Sequence, residues 1–459
     1  MPNIIRLFLN MCQLSPHQQS YTNRVCDPQP KILPVLDKAK SILWIATVSI
    51  CCALPTSKAA QDSPMASAAA PTVYWYTVGL GHAIHTRYGH TLIRIVQKTL
   101  PRDRTYNWGM FDFSDPALPL NFFTGRLRYW LGFEHSIGWH IRFYRNYEKR
   151  PLWEDRLRLT PAQSQHFVAQ VKQKSTPEHK YFWYHHFYKN CATIPRDILN
   201  NVLYGKLKQR YAAEDSGTTL RSYVRHNLNT PPFVGWFLDI TMNSLLDQPL
   251  SKWDEMFYPL KLREHLQDFR ALDDEGNPLD LPLLHDSRQL LRTEMPQPPL
   301  TNYALIVSSL LWGVTLSAWA TRRRLFSGLA LALYGLFATF FGTVMLGSWL
   351  FSTHLDLHHN ANLWLFWPLD IFWLVYAGKW ICGNSDERGI CNRHSATRLL
   401  QLHLIAAIIY SIGNMSGWVM QDCSDVMMYL LPPFFGFGLF VYRRLRRVTS
   451  NDMNSISDS

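Results

Sequence analysis

The stretch Phe187–Gly205, FYKNCATIPRDILNNVLYG, changes periodicity in the middle. Just upstream, Tyr181-Phe182-Trp183-Tyr184 is an aromatic, strand-like run. Downstream, Ile198, Leu199, Val202 and Leu203 recur at helical spacing and stop at Gly205. Pro195 is tolerated only in a helix's first turn, which puts Cys191 at or just ahead of the N-terminus. Unpaired backbone N–H groups at such a position lower a thiol's pKa and can hold an oxyanion. The cysteine therefore reads as a nucleophile; the alternative is a buried thiol serving as a small hydrophobe.

A thiol nucleophile needs a base. The candidate is His90 in YGHTLIRIV, where Leu92, Ile93, Ile95 and Val96 read as a strand. A polar turn, QKTLPRDR, leads to a second strand, TYNWGMFDF. With that hairpin centred near Pro101, residue 90 lies opposite Asp112, an acid placed to orient the imidazole. Asn107 is the alternative orienter.

The surrounding chain decides which compartment this site occupies. Of the 459 residues, 47% are hydrophobic and 17% charged, against roughly 25% charged in an average soluble domain, which points to lipid. The net charge of +12 divides into excesses of +3 over 1–70, +6 over 71–300 and +3 over 301–459. No segment is basic enough for a phosphate-backbone footprint, so nucleic acid is excluded as a partner. The apolar run Ser41–Leu54 has 14 residues, too few to cross ~30 Å of hydrocarbon. Pro55 and the small residues Ser57 and Ala59 follow, so 1–60 reads as a signal peptide with an overlong n-region; the alternative is an uncleaved anchor.

Residues 71–295 have the composition of a globular domain, and 296–302 form a Pro-rich linker. Five apolar segments follow, about 303–320, 325–351, 363–381, 402–420 and 426–442. Eleven Lys and Arg residues fall in or beside the loops on one side of this array, and none falls in the other two loops, 352–362 and 421–425. By the positive-inside rule the globular domain is exoplasmic (periplasmic), and the polar tail 448–459 is cytoplasmic. The exported domain then keeps a single cysteine, Cys191, where an oxidising compartment would favour paired ones. Asp370, inside the third apolar segment, is a functional candidate by default; the alternatives are that it reaches the interface or hydrogen-bonds a neighbouring helix.

The order of His strand, return strand and Cys at a helix start is reversed relative to ordinary papain-like enzymes and matches the circularly permuted, NlpC/P60-related group. More specifically, the chain resembles the lipoprotein N-acyltransferase Lnb family and its N-terminal periplasmic domain. The resemblance rests on YGHTLIRI, YNWGMFDF, NFFTGRLRYWLG, YEKRPLWEDRLRLT and above all KNCATIPRDIL, and extends more loosely through SKWDEMFYPLKL to about residue 265. In the membrane half, His354 and Leu355–Leu363 look like the family's exoplasmic His/Asn loop, though with three His residues where one is expected.

The resemblance implies an α+β, permuted papain-like exoplasmic domain followed by an all-α membrane domain of about five helices. It implies transfer of an acyl chain from a membrane phospholipid, through a cysteine thioester, to the N-terminal amine of a lipoprotein, in the inner membrane and without a cofactor. Arg150 and Arg196 are candidates for the phospholipid headgroup, with surface solvation as the alternative, and His354, His358, Asn360 and Asn362 for further substrate contacts. The aromatic density of 121–133 and 181–188 suits an acyl channel or, equally, a core or interfacial belt. Metal binding by His82, His85 and His90, by His185-His186 or by His358-His359 is not expected, since neither HExxH nor an acidic partner pattern accompanies them. A membrane-anchored cysteine hydrolase and a non-catalytic envelope scaffold are the alternative functions.

Overall fold

The computed structural model describes residues 70–97, 104–133, 135–228, 233–297, 302–321, 323–382 and 393–457. The signal peptide inferred over 1–60 and most of the Pro-rich linker lie outside them.

Among the described residues, seven strands build the main sheet of the first domain: β1 (Thr72–Val78), β2 (His90–Val96), β3 (Arg104–Met110), β4 (Arg128–Gly132), β5 (Leu152–Leu157), β6 (Tyr181–Trp183) and β7 (Leu284–Leu291). They form one sheet in the order β7-β5-β1-β2-β3-β4-β6, antiparallel throughout. Both faces are covered, which is why β2 reads as a nearly continuous apolar run rather than a strict alternation. Ile93 and Ile95 join Trp75, Tyr106 and Trp108 on one face. That core is closed by Phe167 and Val171 of the helix Pro161–Lys174 and by Ile198, Leu199 and Val202 of the helix Thr193–Val202. Leu92 points the other way, into a smaller cluster with Tyr76, Val78, Tyr144 and Leu152. Truncating a core side chain such as Leu199 to Ala would cost about 2–5 kcal/mol. The domain is thus α+β, as its sequence implies.

Among the described residues, four helices in the second half are long and apolar enough to cross a membrane: Tyr303–Thr321, Arg324–Phe351, Ser395–Met415 and Val426–Leu445. The third apolar segment, expected as one helix over 363–381, is broken. It consists of two 3₁₀ turns, Ala361–Trp364 and Pro368–Ile371, and a helix Phe372–Cys382 of 11 residues, only ~16 Å long. Pro368 is the cause. It lacks an N–H and holds Trp367 in an extended conformation (φ −110°, ψ 140°). Asp370 then caps the new turn, accepting from Trp367 N–H (3.0 Å), Trp373 Nε1 (3.1 Å) and His403 Nε2 (2.7 Å) on the helix Arg393–Met415. Its side chain joins neighbouring elements by hydrogen bonds, the use expected as an alternative to a functional role. The broken segment lies against three glycines spaced seven apart on Arg324–Phe351. A Cβ at Gly328, Gly335 or Gly342 would come within 2.4, 2.7 or 2.6 Å of Ile381, Trp373 or the Phe366 carbonyl. Small residues in such a row let two backbones approach closely.

Both loops that lack Lys and Arg touch the sheet domain. Thr353 N–H donates to Thr124 O (3.1 Å), and Arg225 Nη1 donates to Asp422 Oδ2 (2.7 Å). Arg324 begins the 28-residue helix whose other end carries Phe351, so it lies ~42 Å from that junction.

Candidate active site

His90 opens β2, and a glycine sets it there. Gly89 has φ +81°, and a Cβ on it would lie 2.8 Å from Val78 O. The hairpin register is Ile93↔Tyr106, Arg94↔Thr105 and Ile95↔Arg104. Continued to the strand's start, it puts Gly109 opposite His90, three residues short of the assumed partner Asp112. Asp112 lies beyond β3, where its Oδ1 accepts from the N–H (2.8 Å) and Oγ (2.6 Å) of Ser114. The register assumed from the sequence is corrected, and the group that meets the imidazole is Asn107. Its Oδ1 lies 2.8 Å from His90 Nε2.

The same oxygen accepts from Gly109 N–H at 2.8 Å. A backbone N–H can only donate, so Asn107 presents its oxygen here, and His90 must donate from Nε2–H. The basic lone pair is left on Nδ1. Asn107 thereby selects the imidazole tautomer.

Cys191 stands just before the helix Thr193–Val202. Asn190 shapes that start. Its Oδ1 accepts from Ala192 N–H (2.8 Å) and Thr193 N–H (2.9 Å), while its Nδ2 donates to Phe257 O (3.1 Å) and His186 O (2.9 Å). Two helix N–H groups are thus occupied by Asn190 instead of facing the sulfur. Burial pushes the Cys191 thiol up to about 11, although the N–H groups of Thr91 and of Cys191 itself and the Arg150 charge pull the other way. The lowering expected of a helix N-terminus is reversed. Burial, helped by the Arg150 charge, also lowers His90 to about 4. Thiol and imidazole are both neutral near pH 7.

Cys191, His90, Asn107 and Arg150 line one cavity of about 780 Å³, within the range of ligand sites. Arg150 is 3% exposed; its Nε donates to Gly79 O (2.8 Å) and its Nη1 to Glu148 (2.6 Å). Its Nη2 is buried and makes no hydrogen bond among the described residues. Tyr129 and Tyr184, stacked at 4.1 Å, also line the cavity; burial raises both phenols, and Cys191 adds to the effect. Beyond them, Phe340, Thr343, Val344, Gly347, Ser348 and Phe351 form one stripe of the helix Arg324–Phe351. The cavity therefore runs from the thiol to the face of an apolar, membrane-length helix.

The other candidates lie elsewhere. Arg196 is spent on Asp197 (2.9 and 2.7 Å), the Trp253 carbonyl (2.9 Å) and the Trp253 ring, and it does not line this cavity. Neither do His354, His358, Asn360 and Asn362. Asn360 and Asn362 both donate to Ile240 O (2.9 and 2.8 Å), a carbonyl in the last turn of the helix Val234–Thr241 that has no partner within its helix. His358 Nε2 meets Ser352 O at 2.9 Å, and His354 packs against His185 and His186. Two residues missing from the sequence reading carried signals. Asn190 has the cap chemistry of a helix start, and Gly109 interrupts a strand where another group approaches closely.

Fold and site together define a membrane-attached α+β domain with a Cys, a His and an Asn at an apolar cavity. Residues 63–226 match the family model of the Lnb N-terminal periplasmic domain. That match covers about a third of the chain and agrees with the resemblance its motifs carry. No curated protein and no solved structure matches the chain.

The neutral pair predicts an unusually wide pH profile. Below about 4, His90 is protonated and cannot accept the thiol proton; above about 11, the thiol proton needed by the leaving group is gone. Adduct formation at Cys191 should be flat from about pH 5 to 9. The rate of adduct formation, measured with no acceptor present, checks this. Limbs near 6.5 and 8.5, the ordinary His and Cys values, would contradict it.

Proposed function

We propose that this protein is a membrane acyltransferase that moves a fatty acyl chain from a phospholipid, through a thioester on Cys191, to the N-terminal amine of a lipoprotein. The observation that carries the reading is the cavity itself, in which a thiol and an oriented imidazole open onto a wall of membrane-length helix. An apolar space suits an acyl chain and does little for water as acceptor. The order of His strand, Asn strand and Cys helix supports a permuted papain-like relationship.

In the first half, Cys191 Sγ attacks the ester carbonyl while His90 Nδ1 takes the thiol proton, with Nε2–H held by Asn107. Charge developing on the carbonyl oxygen faces the N–H groups of Thr91 and Cys191, and the unpaired Nη2 of Arg150 is a third donor. His90 returns the proton to the departing lysophospholipid oxygen. In the second half, the α-amine attacks the thioester, an amide forms, and the thiol is released with its proton.

The same reading puts the sheet domain outside the cytoplasmic membrane and the C-terminus inside, supported by the two cation-free loops that touch that domain. The deciding experiment is mass spectrometry of lipoprotein N-termini from cells lacking and expressing the protein. Unchanged N-acylation, with free fatty acid released instead, would make it a hydrolase.

Gly347 offers a test of the channel. It lines the cavity, and a Cβ there meets nothing within 4 Å. Gly347→Leu should fold normally and shift the preferred donor toward shorter acyl chains, with roughly tenfold loss on long ones. Unaltered chain-length preference would remove this helix face from the acyl path.

A further inference from the structure

We infer that His185, His186 and His354 form a site for a zinc-class divalent metal ion that ties the membrane domain's first exoplasmic-side loop to the segment carrying the nucleophile. One ring nitrogen from each lies within 4.8 Å of the other two, and the ring centroids stand 4.6, 4.7 and 5.2 Å apart. His185 and His186 belong to the turn before Cys191, closed by paired backbone hydrogen bonds between His185 and Lys189 (3.1 and 3.0 Å). His354 follows the helix Arg324–Phe351 and is 3% exposed.

His186 is held as metal-binding imidazoles are held, with one ring nitrogen anchored and the other left open. His186 Nε2 is 2.7 Å from Asp356 Oδ2, and its Nδ1 is buried with no hydrogen-bond partner among the described residues. One nitrogen of His354 faces the Phe122 carbonyl. His185 Nδ1 takes a long, 3.3 Å bond from Phe187 N–H, the weakest tether and the one an ion would displace. Asp356 is 1% exposed, and its other oxygen, Oδ1, also has no hydrogen-bond partner among the described residues. A buried carboxylate facing imidazoles is a place where a cation relieves an uncompensated charge.

The donor set selects the ion. Imidazoles without thiolate favour zinc and its neighbours over magnesium or calcium. Zn–N bonds of about 2.0–2.1 Å require nitrogens roughly 3.3 Å apart, so nitrogens now within 4.8 Å must draw together by up to about 1.5 Å. The role is structural. His186 lines the cavity on one side and meets the loop residue Asp356 on the other, so an ion at its Nδ1 would fix the turn five residues ahead of Cys191.

The test uses the full-length protein in detergent, stripped with chelator, reloaded with zinc and dialysed. Wild type and Cys191→Ala should each retain about one zinc per chain, while His186→Gln and His354→Gln fall at least tenfold. Asp356→Asn, which keeps the three ligands, should weaken binding about 10–100-fold. Cobalt on the wild-type protein should give intense four-coordinate d–d bands without a sulfur charge-transfer band. That spectrum does not depend on any variant folding. Wild type retaining no zinc, cobalt bands of a hydrated ion, or undiminished zinc in both folded His variants would each overturn the site. Because the readout is metal content, it stands or falls separately from the acyl-transfer reading.

Discussion

Cys191→Ala is expected to lose transferase activity by on the order of 10⁵-fold or more while folding as the wild type does. A covalent nucleophile divides one difficult acyl transfer into two easier ones, so its removal leaves only positioning and binding. The structural cost is small, because Cys191 is only partly buried at the edge of the main core. Cys191→Ser should be nearly as inactive. In this site burial already raises the thiol to about 11, and a hydroxyl, far less acidic, would hardly yield its proton to a base lowered to about 4. The measurement is intact-protein mass after incubation with phospholipid and no acceptor. Wild type should gain the mass of an acyl chain, labile to neutral hydroxylamine, and Cys191→Ala should gain none. His90→Ala should form the adduct far more slowly. Full activity in Cys191→Ala would return the residue to the role of a buried small hydrophobe.

The place of Cys191 just ahead of a helix was legible because two local signals agree on it: a proline confined to a helix's first turn and a glycine stop. His90 was legible because Gly89 and the apolar run after it mark the start of a strand. The orienter was not, because register depends on where a turn is centred, and a shift of three residues, being odd, also reverses the face a side chain presents. Asp112 would therefore point away from His90 even if β3 continued to reach it. Arg150 and Arg196 look alike in sequence. Only the fold shows that Trp253 and Asp197 consume one, while the other keeps a buried donor at the cavity. The third apolar segment misled for a different reason. Hydropathy counts apolar residues and does not register that Pro368 and Asp370 replace two turns of helix with 3₁₀ structure. The cavity was not legible at all, since its two walls come from residues about 150 apart in the chain, Cys191 and the stripe ending at Phe351.

Gly109→Ala should reduce turnover by roughly 10²-fold or more without destabilising the sheet. Alanine suits a strand at least as well as glycine, so the effect must come from what the methyl group meets. The new Cβ would lie 2.5 Å from His90 Cε1, 3.2 Å from His90 Nε2 and 3.1 Å from Asn107 Oδ1. The imidazole would have to turn away, breaking the 2.8 Å contact with Asn107 that fixes its tautomer. Asn107→Ala should be comparably damaging, because Nε2–H and Gly109 N–H would both lose their acceptor, whereas Asp112→Ala should stay within about twofold. Asn107→Asp separates orientation from simple packing. Its carboxylate accepts the same two N–H groups but adds a negative charge beside the ring, so the acid limb of adduct formation should move up from about pH 4 while activity is largely kept. A residue that merely filled space would leave that limb where it was. Full activity in Gly109→Ala, or a crippled Asp112→Ala beside an unaffected Asn107→Ala, would restore the carboxylate as orienter and remove Asn107 from the site.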